Sequence, residues 1–282
     1  MRILSCHSFA PQALKPIPYA NNLRIDDLLV TIDTAGIAVL SGFPTDPGAL
    51  LEFGRQIGVP SPKPGYSRGS STTQNAAFEY VADVRYMREI PSSERRATQG
   101  NVEIRLHTAR SFAVNRPRYF ALLMAQPSVY GGTSTYGLVD RVLEVLGKKS
   151  PAAYSGYVSE LSTTHVPWTH RNSPAGDAAS TPLLSSIGTG RPQFRYWNGI
   201  LETAAEHRMH KTFIDALENF DNALHDEATL TEVHADRGDL VIIDNNRVAH
   251  GRRAFSTEHP GSQQELQRQV YSMQVFGHDQ PR

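Results

Sequence analysis

The run Leu240-Val241-Ile242-Ile243 constrains the fold of this chain most. Gly238-Asp239 precedes it and Asp244-Asn245 follows it. Consecutive apolar, mostly β-branched residues between turn formers read as a buried strand. The glycine-bounded stretch Ile37-Ala38-Val39-Leu40 has the same character, and residues 118–125 and 270–276 add two more apolar strands. Further strands are expected over residues 79–87, Ile104–His107 and 194–197.

Helical spacing is rarer. Pro47–Ile57 carries apolar residues at Leu50, Leu51, Phe53 and Ile57, with Asp46 placed to cap a helix that starts on proline. Residues 138–146 have helical spacing, and residues 204–224 form the longest helical pattern, whose stripe from Met209 to Leu224 reads as core packing. Many strands and few helices argue for a mainly β fold with flanking helices, an antiparallel sandwich or jelly roll. With 282 residues the expectation is a single domain carrying long loop insertions at about 60–76, 88–101 and 166–182, where Pro, Gly, Ser and Thr collect and residues 91–101 read as a mobile polar segment.

Lys plus Arg and Asp plus Glu are equal at 28 each, and no basic run is interleaved with aromatics, so nucleic acid is not an expected partner. No apolar run approaches membrane-spanning length. A single cysteine, Cys6, excludes an internal disulfide framework and fits a reducing compartment. The first residues lack a signal-peptide core, and a cytoplasmic location is expected. A small molecule is the expected partner, and oligomeric state is open.

His107-Thr108-Ala109, taken with His250 after the buried strand, has the outline of a two-histidine-one-carboxylate iron site whose carboxylate is replaced by alanine. Alanine cannot bind a metal. A strand end is a rigid support for His250, and Asp244 and Asn245 are placed to cap its turn or orient a ligand.

In order along the chain, Val39-Leu40-Ser41-Gly42-Phe43, Tyr80 to Arg85, Leu106-His107-Thr108, Asn115 to Leu123, Gly131-Gly132-Thr133-Ser134 and the His250 segment resemble the taurine dioxygenase/clavaminate synthase group of Fe(II)- and 2-oxoglutarate-dependent oxygenases. The resemblance runs from about Gly36 to Gly277 and implies a double-stranded β-helix. It implies His107 and His250 as metal ligands, Ser134 with Thr133 beside it at 2-oxoglutarate, and Arg268 as the grip on the co-substrate's far carboxylate. A planar guanidinium suits that task because it binds carboxylate bidentately. Ser272 stands where several relatives carry a second, substrate-binding arginine, so Arg110, Arg195, Tyr196, Trp197 and Arg85 become candidates for substrate contact. Arg252, two residues past His250, is a further catalytic candidate.

Three completions of the shell stay open. Ala109 leaves space for chloride at the iron, as in the halogenases that this pattern resembles. Alternatively water, Glu103, Asp83, Glu79, His165 or His170 completes the site of a hydroxylase or desaturase. In the third reading the jelly roll only binds. The expected cofactors are Fe(II), 2-oxoglutarate and dioxygen, with chloride in the first case. An amino-acid-like or natural-product substrate, which could arrive tethered to a carrier protein, is expected by analogy.

Overall fold

The computed structural model describes residues 14–20, 23–63, 76–87, 89–168, 179–188, 190–256 and 268–280. The loop expectations over residues 64–75, 88 and 169–178, with His170, and the stretch 257–267 lie outside the described residues. Two sheets dominate. Their strands are β1 (Ile17–Pro18), β2 (Ile37–Ser41), β3 (Val59–Pro60), β4 (Val81–Arg85), β5 (Ile104–His107) and β6 (Tyr119–Gln126). Then follow β7 (Ser134–Leu138), β8 (Leu230–Val233), β9 (Leu240–Asp244), β10 (Val248–Arg252) and β11 (Gln269–Phe276).

The larger sheet has the order β1-β2-β9-β6-β11-β3, with β4 also paired to β11. The smaller has the order β8-β7-β10-β5. Every pairing in them is antiparallel except β1 with β2.

Six helices occur among the described residues: α1 (Ile25–Ala35), α2 (Pro47–Ile57), α3 (Val139–Lys149), α4 (Tyr154–Thr163), α5 (Ile200–Glu206) and α6 (Lys211–Leu224). None is long and apolar enough to cross a membrane. Asp46 caps α2 as its sequence suggests, accepting the Ala49 N–H at 2.7 Å.

The large sheet is apolar on both faces because both faces are covered. Ala38 and Leu40 of β2, Leu240 and Ile242 of β9, and Ala121 and Leu123 of β6 pack with α1 and α2. The alternate residues Ile37, Val39, Val241, Ile243 and Phe120 turn inward and meet Tyr136 and Val248 of the small sheet. Strand periodicity of two forces this division. The outer face of the small sheet, with Leu106 and Ala249, packs on α3, α4, α5 and α6 through Val142, Leu146, Leu161, Phe213 and Phe220.

Several local expectations need correction. The pattern over 204–224 is two helices: the chain breaks between Glu206 and Lys211, where Arg208 takes φ +50° and the His210 ring accepts the Phe213 N–H at 3.3 Å. The apolar stripe runs through the break because both helices lie on one core. The strand expected over 79–87 shrinks to β4, preceded by a 3-10 turn at Ala76–Glu79. Of the strand expected over 194–197, only Phe194 is extended, in a short ribbon with Leu184–Ser185. Within 91–101 a 3-10 turn forms at Ala97–Gln99.

Candidate active site

His107 ends β5, His250 lies in the middle of β10, and the two residues are direct cross-strand partners. Such partners place their side chains side by side on one face. The imidazole centroids are 4.3 Å apart with planes inclined at 46°. Phe120, reaching across from the large sheet, covers the His250 ring at 4.5 Å. His107 Nδ1–H donates to the Arg105 carbonyl at 3.0 Å, which leaves its Nε2 lone pair for another partner. Nδ1 of His250 is buried without a hydrogen-bond partner among the described residues.

Both rings are held neutral. Burial lowers the pKa of His107 against the pull of the Arg105 and His250 carbonyls. Burial pushes His250 well below the ordinary imidazole range, and His107 beside it adds to the shift. Neutral imidazoles are the form that binds metals.

The pair opens into a cavity of about 840 Å³ between the sheets. Ala109, Arg110, Ser134, Arg252, Arg268 and Ser272 share its wall. Arg268, at the start of β11, is only 6% exposed, and its buried Nε has no partner among the described residues. Burial brings its pKa down to about 10, partly offset by Tyr136. Gly131 and Gly132 both adopt φ +73°, and a Cβ on Gly132 would come within 3.1 Å of Arg268 Cδ. The Gly-Gly turn therefore supplies a left-handed bend and room for the guanidinium stem.

Tyr136, which sequence reasoning missed, completes this corner. It is fully buried, its hydroxyl is unpartnered among the described residues, and it lines the cavity. Burial raises its pKa to about 12, with Ser134 and Arg268 opposing. The available signal was its place two residues after Ser134 on one strand, hence on the same face.

Ala109 is fixed by its backbone. Asn245 Oδ1 accepts the Ala109 N–H at 2.6 Å, while Nδ2 donates to the Ala109 and Pro117 carbonyls at 3.0 and 2.9 Å. The next residue, Arg110, takes φ +51°, costly for a side chain with a Cβ, and its Nη1 donates to Ser61 Oγ at 3.2 Å.

Other candidates are placed differently. The Thr133 hydroxyl contacts His234 Nδ1 at 3.1 Å, and Thr133 is absent from the cavity wall. Arg195 turns away, donating to the carbonyls of Ser111 and Val114 (3.1 Å each) and Ala113. Trp197 packs against the helix-side core. Arg252 touches the cavity, but its Nη2 is spent on the carbonyls of Gly100 (2.8 Å) and Val102 (2.7 Å), and its guanidinium lies over Phe255.

Three of the proposed substitutes for the missing carboxylate, Glu103, His165 and Asp83, are engaged elsewhere. Glu103 pairs with Arg253 at 3.5 Å, and His165 faces the Ser180 carbonyl at 3.0 Å. Asp83 lines the cavity but binds Gln269 at 3.0 Å and Arg85 at 3.5 Å. Among the described residues no cluster of three or more His, Cys, Asp or Glu could hold a metal.

The family model for taurine catabolism dioxygenase TauD, TfdA family matches residues 9–269. The chain belongs to the TauD/TfdA family. Dioxygenase str8 of Strobilurus tenacellus is 25% identical over 170 residues, spanning 60% of this chain and 39% of that protein. Among solved structures, the non-heme iron oxygenase OrfP in complex with Fe and alpha-ketoglutaric acid superposes with a TM-score of 0.61 at 18% identity, covering 90% of this chain and 80% of that one. Asparagine oxygenase gives 0.62 at 20% identity, with 90% and 77% covered. The PvcB protein of Pseudomonas aeruginosa gives 0.61 at 16% identity, with 92% and 84% covered. These likenesses establish the fold of this TauD/TfdA-family chain as a double-stranded β-helix with flanking helices.

Proposed function

We infer that the chain is an Fe(II)- and 2-oxoglutarate-dependent oxidative enzyme in which an exogenous anion takes the place of the protein carboxylate. The observation that carries this reading is the pair of neutral imidazoles facing one cavity, with no third protein ligand assembled among the described residues. His107 and His250 would hold the iron. Arg268, Ser134 and Tyr136 would hold the far carboxylate of 2-oxoglutarate, since a buried guanidinium and two hydroxyls answer a carboxylate with charge and donors. The buried, unpartnered atoms at His250, Tyr136 and Arg268 fit this assignment, because buried polar groups ordinarily find partners. Bound iron with its co-substrate and dioxygen supplies the power to oxidise an unactivated C–H bond.

The chain's own residues do the rest. Phe120 and Val241 wall the metal corner with apolar surface and keep water out. Asn245 pins the backbone of Ala109, whose side chain is a methyl group on the cavity wall. A small residue there leaves room for chloride, which would restore the lost negative charge and make the enzyme a halogenase. Hydroxylation or desaturation with water at the same position is the second reading, favoured by the neighbours' oxygenase chemistry. Arg110, with Ser272 across the cavity, is proposed to meet a small amino-acid-like or natural-product substrate. Such a substrate, free or carrier-tethered, fits a cavity of this volume.

Anaerobic Fe(II) with 2-oxoglutarate is expected to give the visible charge-transfer band of the chelate. No band at millimolar iron would sink the reading. Product mass in chloride against bromide separates halogenation from hydroxylation. Ala109→Asp should abolish halide incorporation, and Arg268→Gln should weaken 2-oxoglutarate binding roughly 10- to 100-fold while leaving metal binding in place.

A further inference from the structure

A second cleft, of about 390 Å³, lies away from the histidine pair. Its wall carries two guanidinium groups, Arg116 and Arg195, together with Asn115, Thr181, Ser185 and Gln193. Among the described residues the wall contains no aspartate or glutamate. Arg116 is only 8% exposed. Its Nη1 donates to Thr108 Oγ1 at 3.1 Å and its Nη2 to Asn246 Oδ1 at 2.8 Å, both neutral acceptors. Arg195 is held by three backbone carbonyls, also neutral. The acid whose field reaches Arg116, Asp244, is engaged with Arg118 at 3.9 Å instead.

Two cations therefore face one cleft with hydrogen bonds but no counter-charge. Burial brings Arg116 down to about 9 and Arg195 to about 10, and the neighbouring Arg195 charge adds to the shift at Arg116. Buried charge without an opposite partner is costly. An anion would remove that cost, and the surrounding amides and hydroxyls would supply its remaining hydrogen bonds.

We propose that Arg116 and Arg195 form a second binding site, separate from the histidine cavity, for an oxyanion of the phosphate class. Arg116 also grips Thr108, which stands between His107 and Ala109, so an occupant of this cleft sits one side chain from the turn that shapes the metal corner. Both a free ion and a phosphate monoester share the recognised group, and the cleft exceeds what a bare ion needs.

Thermal unfolding of the full chain tests this at constant ionic strength. Saturating inorganic phosphate or glycerol phosphate is expected to raise Tm by roughly 3–6 °C over chloride. A larger rise with the ester would identify an esterified ligand and a larger rise with the ion a free one; either order supports the site. Arg195→Gln should lose the rise. Gln193→Glu, which supplies a carboxylate to the cleft and spares both arginines, should raise Tm without phosphate and abolish the response to it. This variant decides the question if Arg195→Gln fails to fold. Arg268→Gln, in the histidine cavity, should keep the response. No rise over chloride, a rise unchanged in Gln193→Glu, or a rise lost only in Arg268→Gln would overturn the proposal.

Discussion

Two histidines on opposite sides of the small sheet meet opposite fates. His250 faces the cavity, has His107 for a neighbour, and is driven toward the neutral form. His225 follows α6 on the helix side, where Asp221 accepts from its Nδ1 at 3.2 Å, and that hydrogen bond holds its pKa above the ordinary value despite burial. Burial acts downward on both. The presence or absence of a carboxylate therefore decides whether a buried imidazole keeps its proton or offers a lone pair to a metal. The missing acid at Ala109 has the same consequence: among the described residues the small sheet turns His107, His250, Ser134 and Tyr136 to the cavity and no carboxylate beside them.

This contrast can be broken experimentally. The largest effect is expected at the metal corner. His250→Ala should lower Fe(II) affinity, read from the charge-transfer band, by more than about 100-fold, beyond the loss usual for residues that only support ligands. A variant that kept the band would place the metal elsewhere. Next comes the clamp beneath Ala109. Asn245→Ala strands the Ala109 N–H and two carbonyls, and should cost on the order of 2 kcal/mol in urea unfolding. Wild-type stability with weakened metal binding would make Asn245 a positioning residue only.

The smallest effect is on the helix side. The folded pKa of His225 is raised, so the stability it contributes is complete below the unfolded histidine pKa and is lost as pH rises through the folded value. His225→Asn should lower Tm by about 1–3 °C at pH 6. At pH 9 the difference should vanish. An equal loss at both pH values would show that packing against Tyr196 matters and the ion pair does not.

The sequence by itself determined the apolar strands of the large sheet, the capped start of α2 and the order of segments marking the family, because each signal is local. Apolar runs report burial on both faces, Asp46-Pro47 reports a helix start, and a motif keeps its spacing however the chain folds. Tertiary structure alone decided what the polar side chains do. Arg195 and Arg252 look as available in the chain as Arg268, yet Arg195 is tied to the carbonyls of Ser111, Ala113 and Val114 and Arg252 Nη2 to those of Gly100 and Val102, whereas Arg268 lines the cavity beside Ser134 and Tyr136. Tyr136 joins the histidine cavity only because β7 pairs with β10 and brings it opposite His250. The end of the helix at Glu206 is hidden by a stripe that two helices share on one core. Hydrogen bonds and like-charge contacts between residues a hundred positions apart depend on strand register, and register is a property of paired strands that no window of sequence contains.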